Sequence, residues 1–464
     1  MRLRFVLVPA VFLLASVTLP AQKAAAPDLA AARDEAVQIL AGLVKIDTSN
    51  PPGNETKAAR HIQEIFDREG IASEIFESAP GRGSIVARLK GNGKKRPLLL
   101  MGHLDVVGVE RDKWTVDPFG AVIKDGYLYG RGASDDKAMV SACLEIVLLL
   151  HRMKAPLDRD VIFLAEAGEE GTSQFGIGYM VKEHWEKIEA EFALNEGGSI
   201  HNVDGKVTDV QIGTTEKVPR TTRLVARGSS GHASIPRPDN PVVHLAAAVG
   251  KFGEWQPPAR LNETTRLFFQ RLATISPPDE AALYRNVEDP AVQEKLRLSK
   301  PVYYSMLRTS IVPTIVKGGF RTNVIPADAE ATLDIRSLPD EDMDALLEKM
   351  RQLINDPEIE IVKNNYGARP TSPPSSVNTE MFAALERAQK KVFPAAVTLP
   401  AMGTGATDSA QLRAKGVQAY GLGNVSTDDD RRRVHGNDER ASVEGLGKFL
   451  EFMWLAVTDV ALAK

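Results

Sequence analysis

Residues 97–105 read PLLLMGHLD, a short apolar run, Pro97–Met101, delivering a histidine and an aspartate at its carboxyl end. An apolar run of this length bounded by turn residues is a buried strand. Gly91-Asn92-Gly93 supplies the turn before it, and Ile71–Phe76 and Ser84–Leu89 are further short apolar or alternating runs. Downstream come an apolar helix over Ala138–Leu150, a strand over Val161–Ala165, a helix near Ile177–Trp185 and a strand over Phe192–Leu194. Upstream, Ala36, Leu40, Leu43 and Val44 recur at helical spacing within Asp28–Asp47 until Pro51, Pro52 and Gly53. Asn54 is the expected N-cap of a second helix that Gly70 ends. Alternating strands and helices predict an α/β fold, a mostly parallel sheet flanked by helices on both faces.

The pattern changes near Pro219. Thr221–Arg227 and Ala329–Ile335 alternate like half-exposed antiparallel strands, Asn240–Phe252 and Asp342–Leu353 are helical, and Ile359–Lys363 is another strand. This predicts an inserted α+β domain. Gly367–Ser376, rich in Pro and Ser, is the expected return linker. The layout is then a signal peptide over 1–21, a first α/β part over 28–218, an inserted α+β domain over 219–366, and a second α/β part over 367–464.

Composition narrows the function. Lys plus Arg is 57 against 61 Asp plus Glu, a formal charge of −4 with no large basic tract, which argues against a nucleic-acid binder. Cys143 is the one cysteine, so neither an internal disulfide nor a thiolate metal cluster can form. Arg2 and Arg4 precede the apolar run Phe5–Leu19, with Ala21 or the Ala24–Ala26 cluster suited to cleavage. The run is short for a spanning helix, which needs about 20 apolar residues. The expectation is a removed signal peptide, a secreted or periplasmic protein and no stable membrane anchor.

Five clusters carry chemistry. His103-Leu104-Asp105 follows a strand, where parallel sheets place their ligand sites; a histidine there can bind metal while a carboxylate orients its other nitrogen. In Gly130-Arg131-Gly132-Ala133-Ser134-Asp135-Asp136-Lys137 the acidic pair precedes a helix. A capping aspartate is the ordinary reading, but two adjacent carboxylates after a glycine loop fit metal bridging better. Glu169-Glu170 would repel unless a cation neutralised them; the alternative is a solvated loop. Glu196 ends another strand, in Leu194-Asn195-Glu196-Gly197-Gly198. His435 lies in His435-Gly436-Asn437-Asp438-Glu439, beside the run Asp428–Arg433, expected to be solvated charge. Imidazole and carboxylate donors without sulfur suit zinc, with cobalt or manganese as substitutes.

The motifs HLDVV, GRGASDDK, GEEG, NEGG and HGNDER, in this order, resemble the co-catalytic di-zinc family of glutamate carboxypeptidase, acetylornithine deacetylase, succinyl-diaminopimelate desuccinylase, carnosinase, aminoacylase and carboxypeptidase S. The likeness runs from about Asp34 to Trp454. SSGHASIP and TNVIPADAEATLDIRSLP match its lid, and the stretch from Leu307 to Pro326 is most similar to the carboxypeptidase S branch.

The resemblance implies two zinc ions per chain: His103 and Glu196 on one, Glu170 and His435 on the other, Asp135 bridging and preceding a cis peptide. Asp105 would orient His103. Glu169 would be the general base, taking a proton from a bridging water and returning it to the leaving amine. In the lid, His232 would donate to the oxyanion, and Arg336, helped by Asn323 and Gly405, would clamp a substrate carboxylate. Taken as a simple turn histidine and a surface strand arginine, His232 and Arg336 need no such roles.

The expected activity is hydrolysis of an amide beside a free carboxylate, as a dipeptidase or carboxypeptidase. The alternative on the same site is an N-acyl-amino-acid deacylase, and a third is an inactive metal- or peptide-binding homologue. The expected partners are a small peptide or N-acyl amino acid and a second copy of the chain, a homodimer through an exposed lid-sheet edge.

Overall fold

A computed structural model of the protein describes residues 27–364 and 369–463. The signal-peptide expectation over 1–21 lies outside the described residues, as do Gly367 and Ala368 of the expected linker.

A ten-stranded sheet organises the larger part. Its centre is Leu98–His103, parallel to Val161–Glu166 on one side and to Phe192–Glu196 on the other. Gln418–Leu422 continues the parallel run beside Phe192–Glu196. Ser73–Glu77 and Gly83–Leu89 join antiparallel at one edge. At the other edge lies a hairpin, Ser199–Val203 with Lys206–Glu216, which the sequence pattern did not reveal.

Period-two alternation explains why the central strands are apolar throughout. Leu98, Leu100 and Phe163 face one core, where they meet helices Leu29–Val44, Lys137–Arg152, Glu380–Val392 and Val443–Ala461. Leu99, Met101, Ile162 and Leu164 face the other, with Ile177, Met180, Ile188 and Leu412. The expected helix near 177–185 is two pieces, Ile177–Glu183 and Trp185–Ile188.

A second, antiparallel sheet is built from Val218–Pro219, Thr222–Arg227, Ser310–Gly318, Asp328–Ser337 and Ile359–Lys363. Helices Pro241–Glu254 and Met343–Ile354 cover one face, around Leu224, Phe252, Ile335, Leu347 and Met350. Asn240 and Asp342 cap them through their side chains.

Residues 263–306, drawn by the sequence reading into the lid, belong elsewhere. They form four short helices whose core of Phe268, Phe269, Tyr284 and Met306 closes on Leu399, Ala401 and Met402. Those last three lie on Val397–Gly403, a strand of the large sheet. The stretch between His232 and Asn323 therefore leaves the lid and returns to it. The apolar faces of these helices find their partner on the other sheet, which no local pattern specifies.

Two further differences concern caps and charge. Asn54 occupies the cap position of Glu55–Glu69, but its side chain makes no capping hydrogen bond. Asp428–Arg433 is a helix whose Asp428 and Arg432 are solvated as expected, but Thr427 and Asp430 cap it reciprocally, and buried Asp430 pairs with Arg440 at 2.7 Å. Among the described residues no helix is long and apolar enough to cross a membrane.

Candidate metal centre

The acidic and histidine clusters, scattered over more than 300 residues of sequence, meet at the carboxyl ends of the central strands. His103 is the last residue of its strand and Glu196 the last of the neighbouring one. Glu169 and Glu170 lie in the turn after Val161–Glu166. Asp135 approaches from the glycine loop before Lys137–Arg152, with a cis Asp135–Asp136 peptide bond.

Asp135 sits between the two histidines. Its Oδ1 is 3.0 Å from His103 Nε2 and its Oδ2 is 3.2 Å from His435 Nε2. His435 Nε2 also lies 2.8 Å from Glu170 Oε1. Donor atoms of His103, Asp135 and Glu170 lie within 4.8 Å of one another, as do those of His103, Glu169 and Glu196. The donors are nitrogen and oxygen on three or more chain segments, and the carboxylates outnumber the cations among them. Burial first, then Glu169, Asp135 and Asp136, push the Glu196 carboxyl well above its ordinary range. A bound cation removes that repulsion, so the residues present fit a divalent metal.

The histidines take the opposite direction. Asp135 and then Glu170 push His435 up to about 10. Burial alone would lower His103, but the carboxylates of Asp105 and Asp135 raise it well above its ordinary value. A metal competes for those same nitrogens, so metal binding here releases protons.

Asp105 meets the second ring nitrogen of His103 through both its main chain and its carboxylate. His103 Nδ1 is 2.9 Å from the Asp105 carbonyl oxygen and 3.5 Å from its Oδ1. The main chain of Asp105 is thus the closer partner. Its carboxylate also accepts hydrogen bonds from Glu169 N (3.0 Å), Glu170 N (3.1 Å) and Asn50 Nδ2 (2.8 Å). It orients the Glu169-Glu170 turn, a role invisible in the local motif. Asp136 does not cap its helix either; its buried Oδ2 accepts from His103 N at 3.3 Å.

Glu169 is not a solvated loop residue. Arg369 Nη2 lies 2.6 Å from its Oε1, and the side chain is 10% exposed. Burial first and Asp408 second raise its carboxyl to about 7, against His103 and Arg369.

The sequence reading missed the pair that ties two of the loops together. Arg131 Nη1 lies 2.6 Å from Glu439 Oε2, and both are buried. Glu439 Oε1 accepts from Ser134 N and Asp135 N. Arg131 Nη2 donates to the carbonyls of His435 and Gly436. His435 has φ 60°, a left-handed conformation that costs a non-glycine residue about 1 kcal/mol or more, so these bonds hold a strained backbone in place. Both residues stood inside quoted motifs; no signal pointed to Arg369 or Asp408.

The lid residues are elsewhere. Gly231–His232 pairs with Val324–Ile325, and Ala233 N donates to Asn323 O at 3.1 Å, which makes His232 and Asn323 exposed neighbours. Ser234 hydrogen-bonds His232 Nδ1. Arg336 sits on Asp328–Ser337 with its Nε 2.9 Å from Asp334. Of the four expected substrate-binding residues, Gly405 adjoins the centre: with Thr407, Glu216 and Arg413 it lines a cavity of about 200 Å³ that includes Glu196. A second cavity of about 290 Å³ contains Asp135, Glu196, Asn424 and Arg431.

A mostly parallel sheet with imidazole and carboxylate donors at its strand ends defines a metallohydrolase. Residues 99–458 match the model of peptidase family M20/M25/M40, and the chain belongs to that family. It is 28% identical over 438 residues to the N-fatty-acyl-amino acid synthase/hydrolase PM20D1 of Xenopus tropicalis, covering 90% of this chain and 85% of that one. It is 30% identical over 385 residues to a probable carboxypeptidase S-like 2 of Dictyostelium discoideum, covering 80% and 73%. An M20 family metallo-carboxypeptidase from Sulfolobus solfataricus has the same fold, with a TM-score of 0.70 at 22% identity over 91% and 99% of the two chains. The protein is a metal-dependent peptidase or amidohydrolase.

Proposed function

We propose that the protein is an exported di-zinc hydrolase that cleaves an amide next to a free carboxylate, as a dipeptidase or carboxypeptidase. The observation that carries this reading is the placement of Asp135, with one carboxylate oxygen toward each histidine and Glu169 beside the same donors. His103 and Glu196 would hold one ion, Glu170 and His435 the other, with Asp135 shared. Two such ions would, when bound, make a water more acidic and polarise a carbonyl. Glu169 then accepts the proton of the attacking water and delivers it to the departing amine, so no covalent intermediate is needed. Arg336 would bind the substrate carboxylate, with Asn323 and the Gly405 loop assisting, and His232 would donate to the oxyanion. The exposure of His232 and Asn323 is consistent with a lid that completes the site on closing or from a second subunit.

N-acyl-amino-acid deacylation is the second reading. It is favoured by the relatives named for fatty-acyl amino acids and by a probable succinyl-diaminopimelate desuccinylase of Staphylococcus aureus at 27% identity. A homodimer is supported by the lid-sheet edge. Ser310–Gly318 pairs on one side with Asp328–Ser337 and exposes Val312, Ile315 and Val316, with Phe320 85% exposed just beyond.

The deciding experiment is a screen of dipeptides and N-acyl amino acids with zinc-loaded protein, each substrate with its carboxylate free and amidated. Turnover confined to free carboxylates supports the reading. Equal turnover of amidated substrates overturns the Arg336 clamp and leaves an amide hydrolase of other specificity. A metal content of zero in purified active protein would sink the di-zinc site itself.

A further inference from the structure

Arg369 lies on the chain that returns from the lid, 200 residues from the glutamate it binds. Its guanidinium forks between two carboxylates, with Nη2 2.6 Å from Glu169 Oε1 and Nη1 2.9 Å from Asp408 Oδ1. The side chain is 11% exposed, and Asp408 is fully buried. The main chain of the same residue is anchored in the opposite direction. Its carbonyl accepts from Arg220 Nη1 at 2.8 Å, and Arg220 N donates to Ile335 O at 2.7 Å, on the lid strand beside Arg336. One residue thus grips Glu169 with its side chain and the outgoing lid connector with its backbone.

We infer that Arg369 is a positioning residue that fixes the Glu169 carboxylate for proton transfer and makes that orientation depend on the lid connectors. This rests on the reading of Glu169 as the base. A glutamate side chain rotates freely about its χ angles, and a fork on one oxygen leaves the other free to face the metal donors. Without the guanidinium, the buried carboxylates of Glu169 and Asp408 have no cation between them, and Glu169 turns away. Arginine suits this place better than lysine because one planar group satisfies two carboxylates in fixed geometry.

The test uses the zinc-loaded full chain on the substrate that wild type turns over in the screen above. Arg369→Met and Arg369→Lys are made in wild type and in Glu169→Gln. The expected result for Arg369→Met is a roughly 10- to 100-fold lower kcat. KM stays within about twofold and metal content is unchanged. Arg369→Lys is intermediate, and low-millimolar guanidinium partly restores an Arg369→Ala variant, which a merely structural defect would not allow. In the Glu169→Gln background, Arg369→Met changes kcat by less than about threefold, because the group it positions is gone. Wild-type kcat in Arg369→Met, loss of metal, or the same fractional loss with and without Glu169 would overturn the inference. Wild-type activity in Glu169→Gln alone would instead remove the base assignment, and the inference with it.

Discussion

Glu169 and Glu170 are adjacent and chemically identical, and they differ in what they touch. Glu170 faces His435, while Glu169 is held by Arg369. Glu169→Gln should therefore lower kcat by roughly 10²- to 10⁴-fold while both metals stay bound. Elemental analysis beside steady-state kinetics checks this, and loss of metal would make Glu169 a ligand. A second carboxyl, far from function, sets a pH dependence of stability. Glu145 is buried in helix Lys137–Arg152 with neither oxygen hydrogen-bonded, and burial pushes it up to about 8. The folded chain thus keeps a proton that the unfolded chain releases at the ordinary carboxyl value. The resulting stability is complete below that ordinary value and is lost as pH rises toward 8, by roughly 1 kcal/mol per pH unit. Glu145→Gln should flatten the difference in urea midpoint between pH 5 and pH 8; a slope equal to wild type would refute it.

At the scale of elements, the centre depends on loops that hydrogen bonds tie to one another. The Arg131–Glu439 pair bonds to both the Asp135 loop and the His435 loop. Removing one member of a buried pair typically costs about 3–5 kcal/mol because the other charge is stranded. Glu439→Gln keeps the shape and should weaken zinc binding about 10- to 100-fold, with lower stability in denaturant. Zinc titration of the metal-free variant reads the first, and an unchanged affinity would show that the loops need no such tie. The Asp428–Arg433 helix runs directly into the His435 loop. Thr427→Ala removes its reciprocal cap and should cost about 1 kcal/mol, measurable as a lower Tm.

For the whole molecule, the lid presents its edge strand outward. If two copies pair through Ser310–Gly318, Val316→Lys should shift the mass measured by light scattering from dimer to monomer without reducing helix content. A monomeric wild type would exclude that arrangement. The helices over 263–306 couple the antiparallel-sheet domain to the large sheet. They are anchored to Val397–Gly403 of the large sheet and reach the lid through chain on both sides.

The linear sequence already determined what local pattern controls. Leu98–Met101 and Val161–Ala165 are apolar on both faces because both faces are covered, so the parallel sheet was legible. The residues that meet at the candidate centre, His103, Asp135, Glu170, Glu196 and His435, were legible as a group because each stands at a strand end or in a recognisable loop motif. Tertiary structure alone decided the rest. Asp105 directs its carboxylate to the Glu169-Glu170 turn, Arg369 reaches back 200 residues to Glu169, and the 263–306 helices bury their aromatic face on the large sheet rather than the lid. Spacing along the chain reports the period of a strand or helix, whereas a long-range partner is chosen by which buried charge or apolar face would otherwise be left uncompensated.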